Sequence, residues 1–575
     1  MKYIELVKVY QKLEGVSGKI DKTTIISDFL KSANPSDLEY IVMLLVGRVF
    51  PEWSDKELGF ANQMMIKAIA KAFGKSTEDV AKVFSKRGDL GIVAEEMAKK
   101  RAQGTLVKKQ LEIADVFTRL QKIAEQSGQG STERKINLVV ELISQAKPEE
   151  AKYIVRTVLE ELRVGVAEGI IRDAISSAFS VSPEAVENAW YLLQDYGTIA
   201  RIAREKGERG LKNVKIKIGN PVYVLLGEKA PSLKDAMESF ERCALEWKYD
   251  GARVQIQKDG NNFYIYTRRL ENITKQFPDL IELAKDCIKA KTAIVEGEVI
   301  AIDPKTGKPR PFQILSQRIK RKYDIDKMVK EIPIQVNLFD VIYVNGKDTF
   351  NTKFIERRKI LEKIISEKKG KFQLAKEIIT NDLKVAEEFY KDALANGQEG
   401  VMVKNLDALY VPGRSVEGGW LKVKPTLENL DLVIVGATWG TGKRAGWLGS
   451  YVLACRDPDT GNFLECGMLG TGVKEKKTKQ DDVTMEDLTK LLKPYIESEK
   501  GNFVKIKPKI VIEVAYEEIQ KSPAYSSGFA LRFPRFVRIR SPEKGPDEAD
   551  TIERIKHIYE IQKARGGEHH EASES

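Results

Sequence analysis

Residues 246–253 read Glu-Trp-Lys-Tyr-Asp-Gly-Ala-Arg and place Lys248 just before a glycine and an arginine. A lysine becomes a nucleophile when partial burial or neighbouring cations favour its neutral amine. Gly251 lets the backbone come close to a ligand, and Arg253 can hold a ribose or phosphate oxygen. The segment therefore indicates a nucleophilic lysine beside a phosphate-bearing substrate, with a charged surface turn as the alternative for so short a pattern.

The residues that follow alternate in a way that predicts a sheet. Apolar residues at 254, 256, 263 and 265 flank the turn Asp259-Gly260-Asn261-Asn262, which is typical of a β-hairpin. Further strand-like runs at 293–302, 334–344 and 401–404 alternate with helical stretches at 353–368 and 382–396. Together they predict an α+β domain with a mostly antiparallel sheet over residues 216–425.

The flanking parts of the chain differ from this middle domain. Helical spacing and start signals, such as Ser36 to Glu39 and Ser182-Pro183, predict an all-α domain over residues 1–215. Short strands dominate after residue 426 and predict a β-barrel of the OB-fold type over 426–565. The last ten residues, 566–575, have the composition of a disordered tail. We therefore predict a multidomain protein.

Composition limits the chemistry. Lys and Arg outnumber Asp and Glu by 95 to 84, and this net charge of +11 suits a polyanionic partner without requiring one. The three histidines are His557, His569 and His570, which excludes an HExxH metalloprotease or a Ser-His-Asp triad. The four cysteines form no CxxC pair, so a zinc ribbon is not expected. Chemistry must therefore rest on Lys, Arg, Asp, Glu and a metal ion.

No run of about 18 apolar residues is present, so no membrane span is expected. The first residues mix charges into an apolar pattern, which is unlike the start of a secretory signal. We therefore expect a cytoplasmic protein.

Further polar segments follow the lysine in order. Glu296-Gly297-Glu298 places carboxylates in an apolar strand, where a buried charge needs a cation. Phe339 lies where a base could stack, and Glu399 offers another carboxylate. Lys422 and Lys424 point to one face of a strand because their spacing matches its period. Taken one at a time, these side chains also fit a core aromatic, a structural salt bridge or a solvated strand face.

In this order and spacing, the segments resemble motifs I, Ia, III, IIIa, IV and V of the covalent nucleotidyltransferases. Residues 531–540, Leu-Arg-Phe-Pro-Arg-Phe-Val-Arg-Ile-Arg, are similar to motif VI of ATP-dependent DNA ligases, especially the archaeal and eukaryotic replicative type. Leu162-Arg163-Val164-Gly165 is similar to the DNA-binding domain of that family. The resemblance spans nearly the whole chain and implies a helical DNA-binding domain, a nucleotidyltransferase domain and an OB-fold domain.

The resemblance also implies roles in nucleotide binding. Lys248 would attack the α-phosphate of ATP and carry AMP covalently. Glu246 would recognise the adenine edge, and Phe339 would stack on its face. Arg253 and Arg268 would contact the nucleotide and the 5′-phosphate at a nick.

The remaining roles concern phosphates and metal. Glu298 and Glu399 would bind Mg²⁺, Lys422 and Lys424 would neutralise the α-phosphate, and Arg414 would assist them. Arg540 and Lys544 of motif VI would contact the β- and γ-phosphates. This chain departs from the family there, because Arg540-Ser541-Pro542-Glu543-Lys544 is one residue longer and has Glu where Asp is usual.

The expected function is sealing of nicks in double-stranded DNA in replication, repair and recombination, by a monomer that uses ATP and Mg²⁺. Residues 110–117, Gln-Leu-Glu-Ile-Ala-Asp-Val-Phe, approach a sliding-clamp peptide, but Val116 breaks its aromatic pair and a helix start is favoured. The alternatives are an RNA ligase, a GTP-using capping guanylyltransferase, an NAD-dependent ligase and a DNA-binding scaffold without activity.

Overall fold

The computed structural model describes residues 1–101, 110–321, 323–414, 419–425, 428–440, 444, 446–477 and 482–565. The predicted tail, 566–575, lies outside these residues. Two compact units are present, and each contains more than one segment of the chain. The first comprises Met1–Glu228, Gly251–Lys376 and Lys404–Trp420; the second comprises Lys229–Asp250, Glu377–Val403 and Leu421–Ser575. Because this division does not follow chain order, the boundaries at 215 and 425 stay predictions.

The N-terminal part is helical, as predicted. Its helices are α1 (Tyr3–Glu14), α2 (Lys19–Ser32), α3 (Leu38–Leu45), α4 (Asn62–Phe73), α5 (Thr77–Arg87), α6 (Leu90–Arg101), α7 (Ile113–Ala124), α8 (Ser131–Gln145), α9 (Pro148–Val158), α10 (Glu168–Phe179), α11 (Pro183–Leu193) and α12 (Tyr196–Lys212). Their apolar faces share one buried core, in which the rings of Tyr10 and Tyr153 lie 4.9 Å apart.

One of the two helix starts that were predicted forms as expected. The Ser182 hydroxyl accepts a hydrogen bond from the Ala185 amide at 3.2 Å, and α11 begins at Pro183. The capping box at Ser36 was wrong. Residues Pro35–Asp37 form a 3-10 turn, and the Asp37 carboxylate accepts from the N-terminal ammonium of Met1 at 2.6 Å instead of capping α3.

The middle part is α+β. Its strands are β1 (Leu225–Leu226), β2 (Glu228–Lys229), β3 (Cys243–Lys248), β4 (Ala252–Asp259), β5 (Asn262–Thr267), β6 (Thr292–Ile302), β7 (Pro309–Arg310), β8 (Ile334–Val344), β9 (Lys347–Asp348), β10 (Phe372–Leu374), β11 (Glu377–Ile379), β12 (Gly400–Asn405), β13 (Gly413–Arg414) and β14 (Trp420–Val423). Its helices are α13 (Leu233–Glu238), α14 (Pro278–Cys287), α15 (Phe312–Ile319), α16 (Ile325–Glu331), α17 (Phe354–Ile364) and α18 (Leu383–Ala395).

Two larger sheets organise this part. The first has the order β10-β8-β6-β4-β5, and its pairs are antiparallel except for β8 with β10. The hairpin β4–β5 turns between Asp259 and Asn262, as predicted. The second sheet has the order β11-β3-β12-β14-β2, so the strand that ends at Lys248 lies next to the strand that begins at Gly400.

The C-terminal part is rich in strands. They are β15 (Leu430–Trp439), β16 (Leu448–Arg456), β17 (Phe463–Leu469), β18 (Ile496–Lys500), β19 (Phe503–Ile506), β20 (Val511–Ala515), β21 (Glu518–Lys521), β22 (Phe529–Arg532) and β23 (Arg535–Ile539), with helices α19 (Met485–Leu492) and α20 (Ile552–Arg565). Strand β15 pairs antiparallel with β16, β19 and β20, and β20 pairs with β23. The motif VI stretch, 531–540, therefore begins at the end of β22 and runs along β23, and the turn that carries Lys544 follows it.

In the described part of the chain, no helix has both the length and the apolar character needed to cross a bilayer.

Candidate active site

Lys248 is the last residue of β3, and its ammonium group pairs with the Glu399 carboxylate. The two residues also meet through the backbone, because the Glu399 amide donates to the Lys248 carbonyl oxygen at 2.9 Å. The Lys248 side chain is 22% exposed. The amine is thus partly buried yet open to a substrate, which is the environment that the sequence indicated.

Glu399 bridges two lysines. Its carboxylate also contacts the Lys424 ammonium at 2.7 Å. Burial alone would raise the pKa of Glu399, but the positive charges of Lys248 and Lys424 outweigh it and lower the pKa to about 2. The carboxylate is therefore ionised at any physiological pH and holds both cations beside each other.

The position of Glu399 depends on the glycine that follows it. Gly400 has φ of +140°, and a Cβ at this position would collide with the Val423 carbonyl oxygen. Strands β12 and β14 can therefore approach closely only without a side chain at 400. Lys422 and Lys424, the second of which lies just beyond β14, belong to this same closely packed region.

The same sheet carries Glu246 on β3 and Lys422 on β14, with β12 between these two strands. Glu246 is buried on β3 opposite Glu377 of β11. Lys422 lies on β14, where its carbonyl oxygen accepts from the Ala230 amide at 3.1 Å. Lys424 has a second carboxylate, Glu517, at 3.9 Å. The second compact unit thus brings together five of the residues that the sequence singled out. On one sheet or at its edge lie Glu246, Lys248, Glu399, Lys422 and Lys424.

The first compact unit contains a different buried cluster, around Glu296. Arg253 on β4 donates from Nη2 to both carboxylate oxygens of Glu296, at 2.8 and 2.9 Å. The Tyr410 hydroxyl donates to Glu296 at 2.7 Å, and Arg253 Nη1 donates to the Leu225 carbonyl at 2.5 Å. Burial raises the pKa of Glu296 despite the neighbouring Arg253. The guanidinium expected to face the nucleotide is thus also the cation that the buried carboxylate requires.

Phe339 lies on β8 in the same unit, among aromatic and cationic groups. Its ring meets the Trp420 ring edge to face at 5.7 Å, and the Arg253 guanidinium lies 5.3 Å from its centre. The buried Lys404 ammonium lies 4.8 Å from the same ring. Phe339 itself is only partly buried. Such a ring is fixed in place by its neighbours yet keeps exposed surface on which a base can stack.

Glu298 lies on β6 of the first sheet, two residues after Glu296. The strand register places it opposite Arg253 of β4 and Asn337 of β8. Gly251, just before β4, permits close packing within the first sheet. A Cβ there would collide with the Val299 carbonyl oxygen of β6, and the expected approach of this backbone to a ligand stays a prediction.

Two further arginines that the sequence singled out in the middle part are Arg268 and Arg414. Arg268 is exposed in the turn after β5, where Leu270 adopts a positive φ of 65°. Arg414 ends β13, and its backbone pairs in parallel with Leu226 of β1. Its side chain lies outside the described residues.

The two cationic side chains singled out in and just after motif VI, Arg540 and Lys544, form ion pairs with carboxylates. The Lys544 ammonium donates to Asp431 at 2.6 Å, and Arg540 Nη1 lies 3.5 Å from the same carboxylate. Arg540 also reaches Glu513 at 3.4 Å. Neither Asp431 nor Glu513 was singled out by the sequence, because their partners are about a hundred and about thirty residues away, respectively, along the chain.

The donor set fits a magnesium ion that arrives with a nucleotide. Within the described residues, no group of three or more His, Cys, Asp or Glu side chains could hold a metal by itself. Mg²⁺ keeps several waters and usually takes only one or two protein carboxylates together with substrate phosphates. The ionised Glu399 provides a carboxylate of this kind. When bound, the ion neutralises charge on the phosphates.

Three family models of DNA ligases match parts of this chain. The family model described as ATP dependent DNA ligase domain matches residues 225–424. The DNA ligase N terminus matches residues 2–176, and the ATP dependent DNA ligase C terminal region matches residues 444–543. The chain belongs to the ATP-dependent DNA ligase family. The resemblance found in the motifs is therefore confirmed.

Individual relatives agree over the whole length. A DNA ligase of Nanoarchaeum equitans is 52% identical over 99% of this chain and 100% of its own. A DNA ligase of Thermococcus onnurineus is 46% identical over 98% of each chain. The solved structure named Pmar-Lig_Pre is 19% identical, covers 93% of this chain and 99% of its own, and has a TM-score of 0.52, which indicates the same fold.

Membership of this family confirms the activity that was expected from the sequence. The enzyme is an ATP-dependent ligase that acts on nicked DNA through a covalent adenylate, with ATP and Mg²⁺ as its cofactors. The RNA ligase, the guanylyltransferase, the NAD-dependent ligase and the inactive scaffold are thereby set aside.

Proposed function

We propose that Lys248 is the residue that carries AMP. Its neutral amine would form a bond to the α-phosphorus of ATP while the bond to the bridging α–β oxygen breaks and pyrophosphate leaves. The proton that the nitrogen loses would pass to water or to the departing pyrophosphate. The observation that supports this most directly is the Lys248–Glu399–Lys424 cluster at the edge of the second sheet. It presents a partly exposed amine beside a second cation that can neutralise the phosphate.

Glu399 has an electrostatic role in this proposal and does not accept the proton of Lys248. A general base works best with a pKa near the operating pH, and the pKa of Glu399 is lowered to about 2. The carboxylate instead holds the ammonium of Lys248 in place until the nucleotide enters. Glu399 and Glu298 would then hold Mg²⁺ together with the phosphates.

The remaining nucleotide contacts follow from the motifs. Glu246 would bind the adenine edge, Phe339 would stack on the base, and Arg253 would hold the ribose. Lys422, Lys424 and Arg414 would neutralise the α-phosphate. The described positions of Phe339 and Arg253 support this assignment, because the ring is held by Trp420 and keeps exposed surface.

DNA binding would be divided between the parts of the chain. The helical part, residues 1–215, would grip the duplex through its phosphates, and Arg268 would contact the 5′-phosphate at the nick. Such binding weakens with salt and shows little sequence preference. The middle part, 216–425, would perform adenylation. The strand-rich part, 426–565, would bring Arg540 and Lys544 to the β- and γ-phosphates in the first step.

The cellular setting is also proposed. The enzyme would work as a monomer in the cytoplasm during replication, repair and recombination. A sliding clamp is a further candidate partner. The segment that resembles a clamp peptide has Val116 and Phe117 buried in α7, which favours the helix interpretation for it. Chromatography of the enzyme with and without a clamp would decide this.

One experiment tests the central proposal. The intact mass of the enzyme should rise by one AMP after treatment with ATP and Mg²⁺, and Lys248→Ala should abolish the gain while DNA binding persists. Lys258→Ala is the matched control, because this lysine follows on the next strand and has no assigned role. A mass gain that survives in Lys248→Ala would contradict the assignment.

A further inference from the structure

The motif VI cations are tied to two carboxylates on neighbouring strands. Strand register places Asp431 of β15 opposite Glu513 of β20, and Glu513 opposite Arg538 of β23. Arg538 donates to Glu513 at 2.7 Å, while Arg540 lies between Glu513 and Asp431. Lys544 completes the set on Asp431. Asp431 is the carboxylate that both Arg540 and Lys544 share.

Asp431 closes the turn that carries these cations. The Lys544 amide donates to the Arg540 carbonyl at 3.0 Å, so the two ends of the turn meet through the backbone. The Arg540 amide donates to the Val511 carbonyl at 2.9 Å, and the Ser541 hydroxyl accepts from the Val511 amide at 2.9 Å. The turn is thus fixed to β20, and Asp431 holds a side chain at each end of it.

The side chains differ in exposure in a way that leaves the cations accessible. The Asp431 side chain is 10% exposed, whereas those of Arg540 and Lys544 are 21% and 32% exposed. A lysine has three N–H donors and an arginine has five, so each retains donors for a phosphate while it contacts Asp431. Asp431 is therefore more buried than the two cations, and it contacts both of them while part of each cationic side chain stays exposed to solvent.

We infer that Asp431 is a positioning residue for the first chemical step, which sets the place of Arg540 and Lys544 toward the leaving pyrophosphate of ATP. This inference rests on the proposed role of motif VI. It also explains how the longer turn of this chain keeps both cations together. Without the buried carboxylate, the two like charges repel each other and the longer turn loses its tie to β15.

Two rates should respond differently to a change at Asp431: the rate of self-adenylation and the rate of sealing a pre-adenylated nick. Motif VI serves adenylation of Lys248, whereas sealing of a nick that already carries AMP on its 5′-phosphate needs no pyrophosphate to leave. Asp431→Asn keeps the shape of the side chain and removes its charge. It should slow self-adenylation about ten-fold or more and leave sealing of the pre-adenylated nick within about two-fold of the unmodified enzyme.

A control and a rescue accompany this test. Glu497→Gln removes a carboxylate that pairs with Lys505 at 3.2 Å on the same strand-rich part, and it should change neither rate. Asp431→Glu restores the charge and should recover part of the adenylation rate. Equal slowing of both steps by Asp431→Asn, or no slowing, would overturn the inference.

A combined substitution covers the case in which Asp431→Asn weakens the fold. If Asp431 acts through Arg540 and Lys544, then Asp431→Asn should add little to the adenylation defect of an enzyme that carries both Arg540→Ala and Lys544→Met. Additive defects would contradict the inference. Arg540→Ala and Lys544→Ala test the proposed function separately. If both retain normal adenylation, the motif VI assignment itself is wrong, whereas a defect in them with a normal Asp431→Asn rejects only the role of Asp431.

Discussion

Lys248 and Glu399 are joined twice, once through their side chains and once through a hydrogen bond of 2.9 Å from the Glu399 amide to the Lys248 carbonyl. The backbone bond fixes the ends of β3 and β12 against each other, so that the side-chain pair forms between two rigid strands. Pre-organised charge of this kind costs no rearrangement at the moment of reaction. Lys248 and Glu399 are therefore positioned by neighbouring strands of one sheet and not by a loop.

Removing the charge of Glu399 should impair adenylation. Glu399→Gln leaves Lys248 and Lys424 without the carboxylate that holds them, and it removes a ligand proposed for Mg²⁺. We expect the rate of lysyl-AMP formation to fall about ten- to a hundred-fold. Quenched reactions with labelled ATP measure this rate. Glu388→Gln, an exposed residue of α18, is the control and should have no effect. A normal rate in Glu399→Gln would remove Glu399 from the site.

The same residue predicts how stability depends on pH. The pKa of Glu399 is lowered from 4.5 to about 2, so its ion pairs stabilise the fold fully above pH 4.5 and lose this contribution as the pH falls toward 2. The difference in unfolding free energy between the unmodified enzyme and Glu399→Gln should be constant from about pH 5 to 8 and shrink below that range. Denaturant titrations at several pH values measure it. A difference that changes near neutral pH would show that Glu399 titrates there.

The Glu296 cluster should be a large contributor to stability. Glu296→Ala leaves the buried guanidinium of Arg253 without its carboxylate, and breaking a buried pair in this way costs about 3–5 kcal/mol. Tyr410→Phe removes the hydrogen bond to the same carboxylate and the acceptor of the Leu225 amide, and it should cost about 2 kcal/mol. Urea unfolding of the full chain compares the two. If Glu296→Ala lowers the unfolding free energy less than Tyr410→Phe does, the proposed importance of the Arg253–Glu296 ion pair is contradicted.

Lys22 should matter for DNA binding and not for adenylation. Its buried ammonium donates to the carbonyls of Val164 and Gly165, at 2.6 and 3.0 Å, and so fixes the loop that resembles the family's DNA-binding segment. Lys22→Met should raise the dissociation constant for nicked DNA about ten-fold, while formation of lysyl-AMP stays normal. Fluorescence anisotropy measures the binding.

The controls for this substitution are within the same helical part. Lys135 donates to the Leu58 carbonyl at 2.7 Å, and Lys135→Met should leave DNA binding unchanged. Lys22→Arg retains a donor and should restore part of the affinity. If Lys135→Met weakens binding equally, the effect belongs to the stability of the helical part and not to the loop.

Local patterns predicted the strands well. The hairpin around Asp259 follows from alternation and turn residues, and Lys248 at the entry to it follows from the same stretch. The contact between Lys248 and Glu399 could not be derived in this way. It depends on which strands become neighbours in the sheet, and the alternation of residues carries no information about that order. Only the resemblance to a family placed both residues in one site.

Other features were missed for physical reasons. Tyr410 lies outside the named strands, and no local pattern marks its hydroxyl as a partner of Glu296. Asp431 belongs to an apolar strand, so that its pairing with Lys544 emerges only when β15 and the motif VI turn meet. The capping box at Ser36 failed because Ser36 lies within the 3-10 turn Pro35–Asp37, which leaves Asp37 and not Ser36 at the N-cap position of α3.

Gly400 carries no functional group, yet it sets how near Glu399 comes to its two lysines. Any larger residue would wedge β12 away from the carbonyl of Val423 and carry the carboxylate with it. In a library that randomises this position and selects for nick sealing, the surviving clones should encode glycine almost without exception. The tolerance of the Lys248–Glu399–Lys424 cluster to mutation should thus depend on a residue that contributes no side chain to it.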